Sequence, residues 1–377
     1  MEISVPRDEE NAIIKKVEER TDGEAARIRR YLAMPDLART PGSPIYEMVK
    51  RLKEIPSLKE FDDINIPEVV PAKVAFDLFD FEQDHPARSK SDTYYMDEEN
   101  ILRPHDTVFW YYYLKTLDVK KKVENKEPFG TICYGKVYRK DEIDRNHMNV
   151  FHQFGAWYLI PDSEGTLTLD DLKKVLVQIV KAIFGENVEY RLPDETFPYT
   201  DPSTEVEVKI GGEWLEILGS GIVKKSVLKN VGLEGYNGWA FGFGLERLAM
   251  ISMQLPDIRL LWSNDERVKK QLVLGHTYEE VSKYPPVIRD ISFIVPKHFV
   301  PNDYFDMVRE TVGDEMVEEV ELLDKYENDE KFGAEKMSYA YRITYRALDR
   351  TLTNEEVDVL HTRLEEATAK RFDATIR

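Results

Sequence analysis

Apolar residues recur at helical spacing in the opening segment of the chain. Between residues 8 and 33, Ile13, Ile14, Val17, Ala25, Ala26, Ile28 and Leu32 alternate with charged positions. The Asp22-Gly23 pair interrupts this run, so it predicts helical segments too short for a long coiled-coil arm. A second helix is expected over Ile45–Ile55, introduced by Ser43 as a cap and Pro44 in the first turn. From Met96 to Gly221 the pattern changes, and β-like runs alternate with loops. One helix intervenes at Leu169–Phe184, opened by Thr168 with Asp170 and Asp171 in its first turn. Strands dominate Glu205–Val223. Adjacent strands with few crossover helices predict an α+β fold, a mostly antiparallel sheet with helices on one side. The glycines do not follow the dinucleotide fingerprint, which argues against a Rossmann fold.

A charged stretch with no strong strand signal spans 265–283 and marks a boundary. Beyond it the pattern reads as strand Ile288–Val295, helix Tyr304–Val312, strands Val317–Tyr326 and Met337–Arg346, helix Asn354–Lys370 and a terminal strand. The segment 328–336 reads as a hairpin loop. This βαββαβ order is ferredoxin-like. The expected division is a helical extension over 1–43, a main domain over 44–264, a linker over 265–283 and a second domain over 284–377.

Composition narrows the class. A chain of 377 residues, 42% hydrophobic and 11% aromatic, has ample material for one or two packed cores. The single Cys133 excludes a disulfide framework and any Cys-based zinc cluster, and fits a reduced intracellular compartment. No apolar run reaches membrane-spanning length. The N-terminus has neither a signal-peptide core nor an Arg-rich transit character, so a cytoplasmic location is expected, with an organellar matrix open if a transit peptide has been removed. The net charge of −19 argues against non-specific nucleic-acid binding. A local basic patch can still dock one RNA on an acidic protein, and Lys120–Lys122 and Lys224, Lys225 and Lys229 are the candidate clusters, against the plainer reading of solvated lysine faces.

Two stretches carry chemistry. Val137–Gln153 reads as strand, loop and antiparallel strand, with Arg139 at the loop mouth. Gly238–Met250 is a glycine-laced strand running into a helix, with Arg247 near the junction. Gly242 and Gly244 remove side chains where something planar must approach the backbone. Two arginines around a β platform suit a nucleoside triphosphate, because the guanidinium fork pairs with phosphate oxygens.

The pair resembles motifs 2 and 3 of class II aminoacyl-tRNA synthetases, and the wording around them resembles the single-chain organellar form of phenylalanyl-tRNA synthetase. Supporting phrases run in the family's order: Ile66–Pro71, Asp84–Met96, Leu102–Thr107, Phe197–Val208, Glu213–Gly221, Leu255–Trp262, Tyr284–Phe293 and Tyr341–Thr353. The likeness covers roughly Pro44 to the C-terminus. It implies ATP-dependent activation of phenylalanine, transfer to tRNA(Phe), Mg2+ with the ATP, and a C-terminal anticodon-binding domain. With both functions on one chain, a monomer without a second subunit type is favoured.

Carried over by the resemblance, Arg139 holds the α-phosphate and the amino-acid carboxylate, and Arg247 clamps the γ-phosphate. Asn146, His147 and Met148 fall in the ATP-contacting loop, Phe241 lies where the family stacks adenine, and Gly244 borders the nucleotide. Glu205 and Glu216, with Glu207 as a further candidate, are carboxylates for the metal. The amino-acid pocket is expected from His105, Thr107, Trp110, Gln153, Gly155, Phe197, Tyr199, Gly219, Ala240 and Gly242. Phe197 and Tyr199 match paired phenylalanines on the substrate ring, with Tyr199 a departure. Trp110 stands where a glutamine supports the amino group, and Gly155 replaces a glutamate. That loss removes a countercharge for an ammonium. Asp106 could compensate, but strand alternation would turn either Asp106 or its neighbour away from the pocket. His152 could be a ligand contact or a structural hydrogen-bonding group. Two alternatives follow: a paralogue adenylating another aromatic or non-α-amino acid, or a non-catalytic tRNA-binding paralogue.

Overall fold

The computed structural model describes residues 1–140, 145–313 and 316–377. They form two compact units, Met1–Tyr278 and Glu279–Arg377. The first is built on β1 (Glu2–Ser4), β2 (Asp62–Asn65), β3 (Val69–Pro71), β4 (Asn100–Leu102), β5 (Phe129–Tyr138), β6 (Val150–Pro161), β7 (Tyr190–Arg191), β8 (Asp194–Phe197), β9 (Thr200–Ile210), β10 (Glu213–Val223) and β11 (Tyr236–Gly244).

Among the described residues, nine of these strands make one sheet in the order β1-β2-β5-β6-β11-β10-β9-β7, with β8 also on β9. The β1–β2 and β2–β5 pairs are parallel and the rest antiparallel, so the sheet is mixed at one edge. The central antiparallel strands alternate their side chains between two faces. On one face Trp157, Ala240, Phe129 and Cys133 join a cluster with Phe109, Trp110 and Tyr113. The other face carries a column of stacked rings, Trp239, Phe241 and Phe243, with Phe154 alongside.

The predicted helices form where their caps are. Thr168 and Asp171 make a reciprocal capping box at the start of helix Leu169–Phe184, whose buried stripe runs Leu172, Val175, Leu176, Ile179, Val180 and Ile183. That helix packs on β9 and β10. Ser43 caps helix Pro44–Lys53 through the Ile45 N–H. The opening segment folds as helices Asp8–Glu18 and Gly23–Leu32, the second capped by Asp22. Val17, Ala25, Ile28 and Tyr31 bury against Val69, Tyr94, Met96, Leu102, Tyr138 and Val150. Residues 1–43 are therefore part of the first unit's core, and they contribute β1, a three-residue strand too short for its periodicity to register. The stretch 265–278 also lies in the first unit, where it holds a turn of helix, Glu266–Lys269, and buries Val268, Leu272, Leu274 and Tyr278.

The second unit holds β12 (Val287–Pro296), β13 (Val317–Tyr326), β14 (Lys336–Tyr345) and β15 (Thr375–Ile376), paired antiparallel in the order β13-β14-β12-β15. Helices Pro301–Val312 and Asn354–Phe372 cover it, and its core includes Phe293, Tyr304, Tyr341, Val357 and Leu364. This is the expected ferredoxin-like arrangement. The hairpin segment 328–336 contains a short helix, Asp329–Phe332, capped by Asn328. No helix among the described residues is long and apolar enough to cross a membrane.

Candidate active site

Arg139 follows β5 where the β5–β6 hairpin opens. Its N–H donates to the Asn149 carbonyl (3.1 Å) and the Asn149 side chain donates back to the Arg139 carbonyl (3.0 Å), which closes the loop mouth. Arg139 Nε donates to the Pro104 carbonyl at 2.9 Å, and its guanidinium sits 5.3 Å from the Phe151 ring centre. The half-buried head is fixed by backbone.

The second arginine is placed by a buried tie. Glu246, in the first turn of helix Leu245–Met253, accepts the His152 backbone N–H at 2.8 Å and lies 2.6 Å from His152 Nδ1. The Leu37 N–H reaches His152 Nε2 at 2.9 Å. His152 is thus a structural bridge between β6, the helix and the opening segment. Next to Glu246, the exposed Arg247 donates from Nε to the Glu216 carbonyl at 2.8 Å.

Two cavities meet between these arginines. The larger, about 320 Å³, is bordered by Asn146, His147, Met148, Phe151, Glu216, Gly244 and Arg247. The smaller, about 160 Å³, is walled by Phe79, Phe81, Trp110, Phe197, Tyr199 and Ala240, with His105, Asp106 and Thr107 at one end. Arg139, Gln153, Gly219 and Gly242 border both. The shared floor includes Gly242 on β11 and its register partner Gly219 on β10, whereas Gly155 on β6, opposite Gly242, borders neither cavity because Asp106 covers it. Each missing side chain is a space something else fills. A Cβ on Gly219 would fall 2.6 Å from the Phe197 ring, and one on Gly155 would fall 2.3 Å from Asp106 Oδ2.

Burial shapes the polar end. His105 Nε2 lies 2.9 Å from the Ala75 carbonyl, and burial, opposed by that hydrogen bond, pushes the imidazole down to about 4. The ring is neutral and donates from Nε2, so Nδ1, which has no partner, is an acceptor. Asp106 belongs to a turn, Asp106–Val108, and its N–H donates to Gln153 Oε1 at 2.9 Å. Burial pushes its carboxyl up to about 7, against the pull of Arg103 and Arg139.

Among the acids, Glu207 pairs with Arg191, while Glu205 is held above the usual range by burial and by the charges of Glu216, Glu195 and Glu207. Glu205 and Glu216 thus sit close enough to repel each other, and Glu216 borders the larger cavity, a donor set that fits a cation shared with phosphate oxygens.

Residues 32–272 match the family described as tRNA synthetases class II core domain (F), and residues 282–377 match the ferredoxin-fold anticodon binding domain. The mitochondrial phenylalanine–tRNA ligase of Mus musculus is 38% identical over 80% of this chain and 72% of its own length. The chain belongs to the phenylalanine–tRNA ligase family. The chloroplastic/mitochondrial phenylalanine–tRNA ligase of Arabidopsis thaliana is 38% identical over 85% of this chain and 73% of its own, and the mitochondrial ligase of Dictyostelium discoideum 32% over 88% and 82%.

Set on this phenylalanine–tRNA ligase scaffold, most residues expected at the site come together, with three corrections. Phe241 does not offer its ring to the larger cavity: strand alternation turns it to the opposite face, where it stacks between Trp239 and Phe243 at 5.9 Å from each. A flat ring that borders the larger cavity is Phe151, two residues before Gln153 on the same face of β6. Trp110 lines the pocket as packing, stacked 4.2 Å from Trp157, and not as a polar contact. Asp106 does enter the pocket, because a turn, not a strand, carries it. Phe79, Phe81 and Phe151 were missed; only Phe151, by its spacing from Gln153, left a sequence signal. Lys122 pairs with Asp62 and Lys225 with Asp162, so both lysine clusters are partly neutralised.

Proposed function

We propose that this chain activates phenylalanine with ATP and transfers it to tRNA(Phe). The observation that carries the reading is the meeting of an aromatic-walled pocket and a nucleotide-sized cavity along Arg139, Gln153, Gly219 and Gly242. The substrate ring fits among Phe197, Tyr199, Phe79 and Phe81, with Ala240 leaving room at the far wall. Gln153, whose oxygen is committed to the Asp106 N–H, offers its amide N–H groups to the substrate carboxylate beside Arg139.

A carboxylate oxygen attacks the α-phosphorus of ATP, the bond to the bridging oxygen breaks, and pyrophosphate leaves with the electron pair. Arg139 stands at the junction where that charge develops, already oriented by Pro104, so little reorganisation accompanies the step. Arg247 neutralises the distal phosphates and Phe151 supplies a stacking face for the base. Mg2+, held by Glu205 and Glu216, would neutralise phosphate oxygens. In the second step a ribose hydroxyl of the tRNA attacks the adenylate carbonyl and AMP departs. The C-terminal unit's match to an anticodon-binding domain supports tRNA as the partner, and both units on one chain support a monomer. Incubation with labelled phenylalanine, ATP and tRNA tests the reading: acid-precipitable label on tRNA(Phe) is expected, and its absence with a folded protein contradicts it.

A further inference from the structure

Among the described residues, the smaller cavity has one acidic side chain in its lining, Asp106, and one arginine, Arg139. The two come from different elements, the turn after β4 and the end of β5. Asp106 is 3% exposed, and its Oδ2 is buried with no hydrogen-bond partner. That oxygen is turned onto the Gly155 backbone, so the oxygen left to meet a partner from the cavity is Oδ1, on the side of Gly242. A buried carboxylate costs stability unless a partner completes it. The sheet is shaped to receive it. Gly155 and Gly242 are register partners on neighbouring strands, and Cβ atoms built on them would lie 2.3 Å from Oδ2 and 3.6 Å from Oδ1. The carboxylate therefore rests in a notch two side chains deep. Beside it, His105 keeps Nδ1 as an unpartnered acceptor. Two acceptors at one end and a cation at the other match a zwitterion.

We propose that Asp106, seated over the Gly155–Gly242 pair, receives the α-ammonium of the amino-acid substrate and makes the site selective for α-amino acids. The inference rests on the reading of the chain as a phenylalanine-activating enzyme. It adds that the countercharge comes from the turn and not from the sheet, and that a side chain at 155 and the carboxylate at 106 exclude each other. A carboxylic acid lacking the ammonium would bind only by leaving Asp106 unpaired or protonated. The groups facing Asp106 are Arg103, Arg139, His105, Tyr199 and Cys133, from the turn itself, β5 and the β8–β9 connection. Burial pushes the Asp106 carboxyl up to about 7, so phenylalanine binding weakens as pH falls below that value and the carboxyl protonates.

The test is pyrophosphate exchange by the full chain with phenylalanine and with 3-phenylpropanoate, in wild type, Asp106→Asn, Asp106→Gly, Gly155→Ala and Asp106→Gly/Gly155→Ala. Asp106→Asn should raise KM for phenylalanine about 10- to 100-fold, as expected for loss of a hydrogen bond to a charged group, leave KM for ATP unchanged, and not impair use of 3-phenylpropanoate. Its Tm at pH 8 should not fall, since a buried ionisable group has gone. Gly155→Ala should weaken phenylalanine in the wild-type background but add nothing once Asp106 is removed. Should a variant fail to fold, the wild-type ratio of the two acids' KM values between pH 6 and 8 carries the same test, and discrimination should shrink at the acid end. An unchanged phenylalanine KM in Asp106→Asn, equal losses for both acids, or a pH-independent ratio overturns the inference while the functional reading stands. Absence of phenylalanine exchange in wild type overturns both.

Discussion

At the scale of single residues, the two arginines are fixed before substrate arrives. Arg139 is anchored by Pro104 and faced by Phe151, and Arg247 is anchored by the Glu216 carbonyl. Preorganised charge of this kind contributes about 3–4 kcal/mol to a transition state. Arg139→Ala and Arg247→Ala should each lower pyrophosphate exchange by about 100- to 1000-fold with an unchanged urea midpoint; near-normal exchange in either would remove that arginine from the chemistry. Gly155→Glu gives an outcome that the family comparison alone would not suggest. Read by resemblance, the substitution restores a carboxylate the relatives carry. In the structure its Cβ already collides with Asp106 Oδ2. The variant should therefore lose phenylalanine activation, and improved affinity for phenylalanine would show that the notch can open.

At the scale of elements, a buried carboxylate ties the arginine-bearing helix to β6. Glu246 is 2% exposed and satisfies both the His152 backbone and its ring. Glu246→Ala leaves buried donors unpaired, which should cost about 3 kcal/mol or more in urea unfolding; a loss below about 1 kcal/mol would mean that water or a neighbouring group replaces the tie. These elements were largely legible beforehand. The β5–β6 hairpin, the β11-to-helix junction, the capped helix Leu169–Phe184 and the βαββαβ order all follow from periodicity and caps. What escaped did so for physical reasons. The pattern of a three-residue strand such as β1 is shorter than any period. Phe241 was carried over by likeness, while alternation along β11 decides which way its ring points. Asp106 was judged by strand geometry, but Arg103-Pro104-His105 leads into a turn, and alternation no longer applies there. Phe79 and Phe81 reach the pocket from a distant loop, which no local pattern reports.

At the scale of the whole molecule, the chain divides at Tyr278, and every residue placed at the candidate site lies before that point. A chain ending at Tyr278 should keep phenylalanine-dependent pyrophosphate exchange and lose charging of tRNA. Loss of exchange as well, in a truncated protein that stays folded, would mean that the second unit supports the catalytic one. Acidity overall, with −19 net charge, leaves the tRNA to be drawn by local basic groups, so charging should weaken steeply with salt while exchange does not. The central claim, activation of phenylalanine at the junction of the two cavities, is tested most directly by pyrophosphate exchange with the intact chain against each of the twenty amino acids. Exchange should be strongest with phenylalanine, with tyrosine about 100-fold weaker because an apolar pocket rejects an added hydroxyl only modestly. No exchange with phenylalanine, or a clear preference for another acid, would contradict the account.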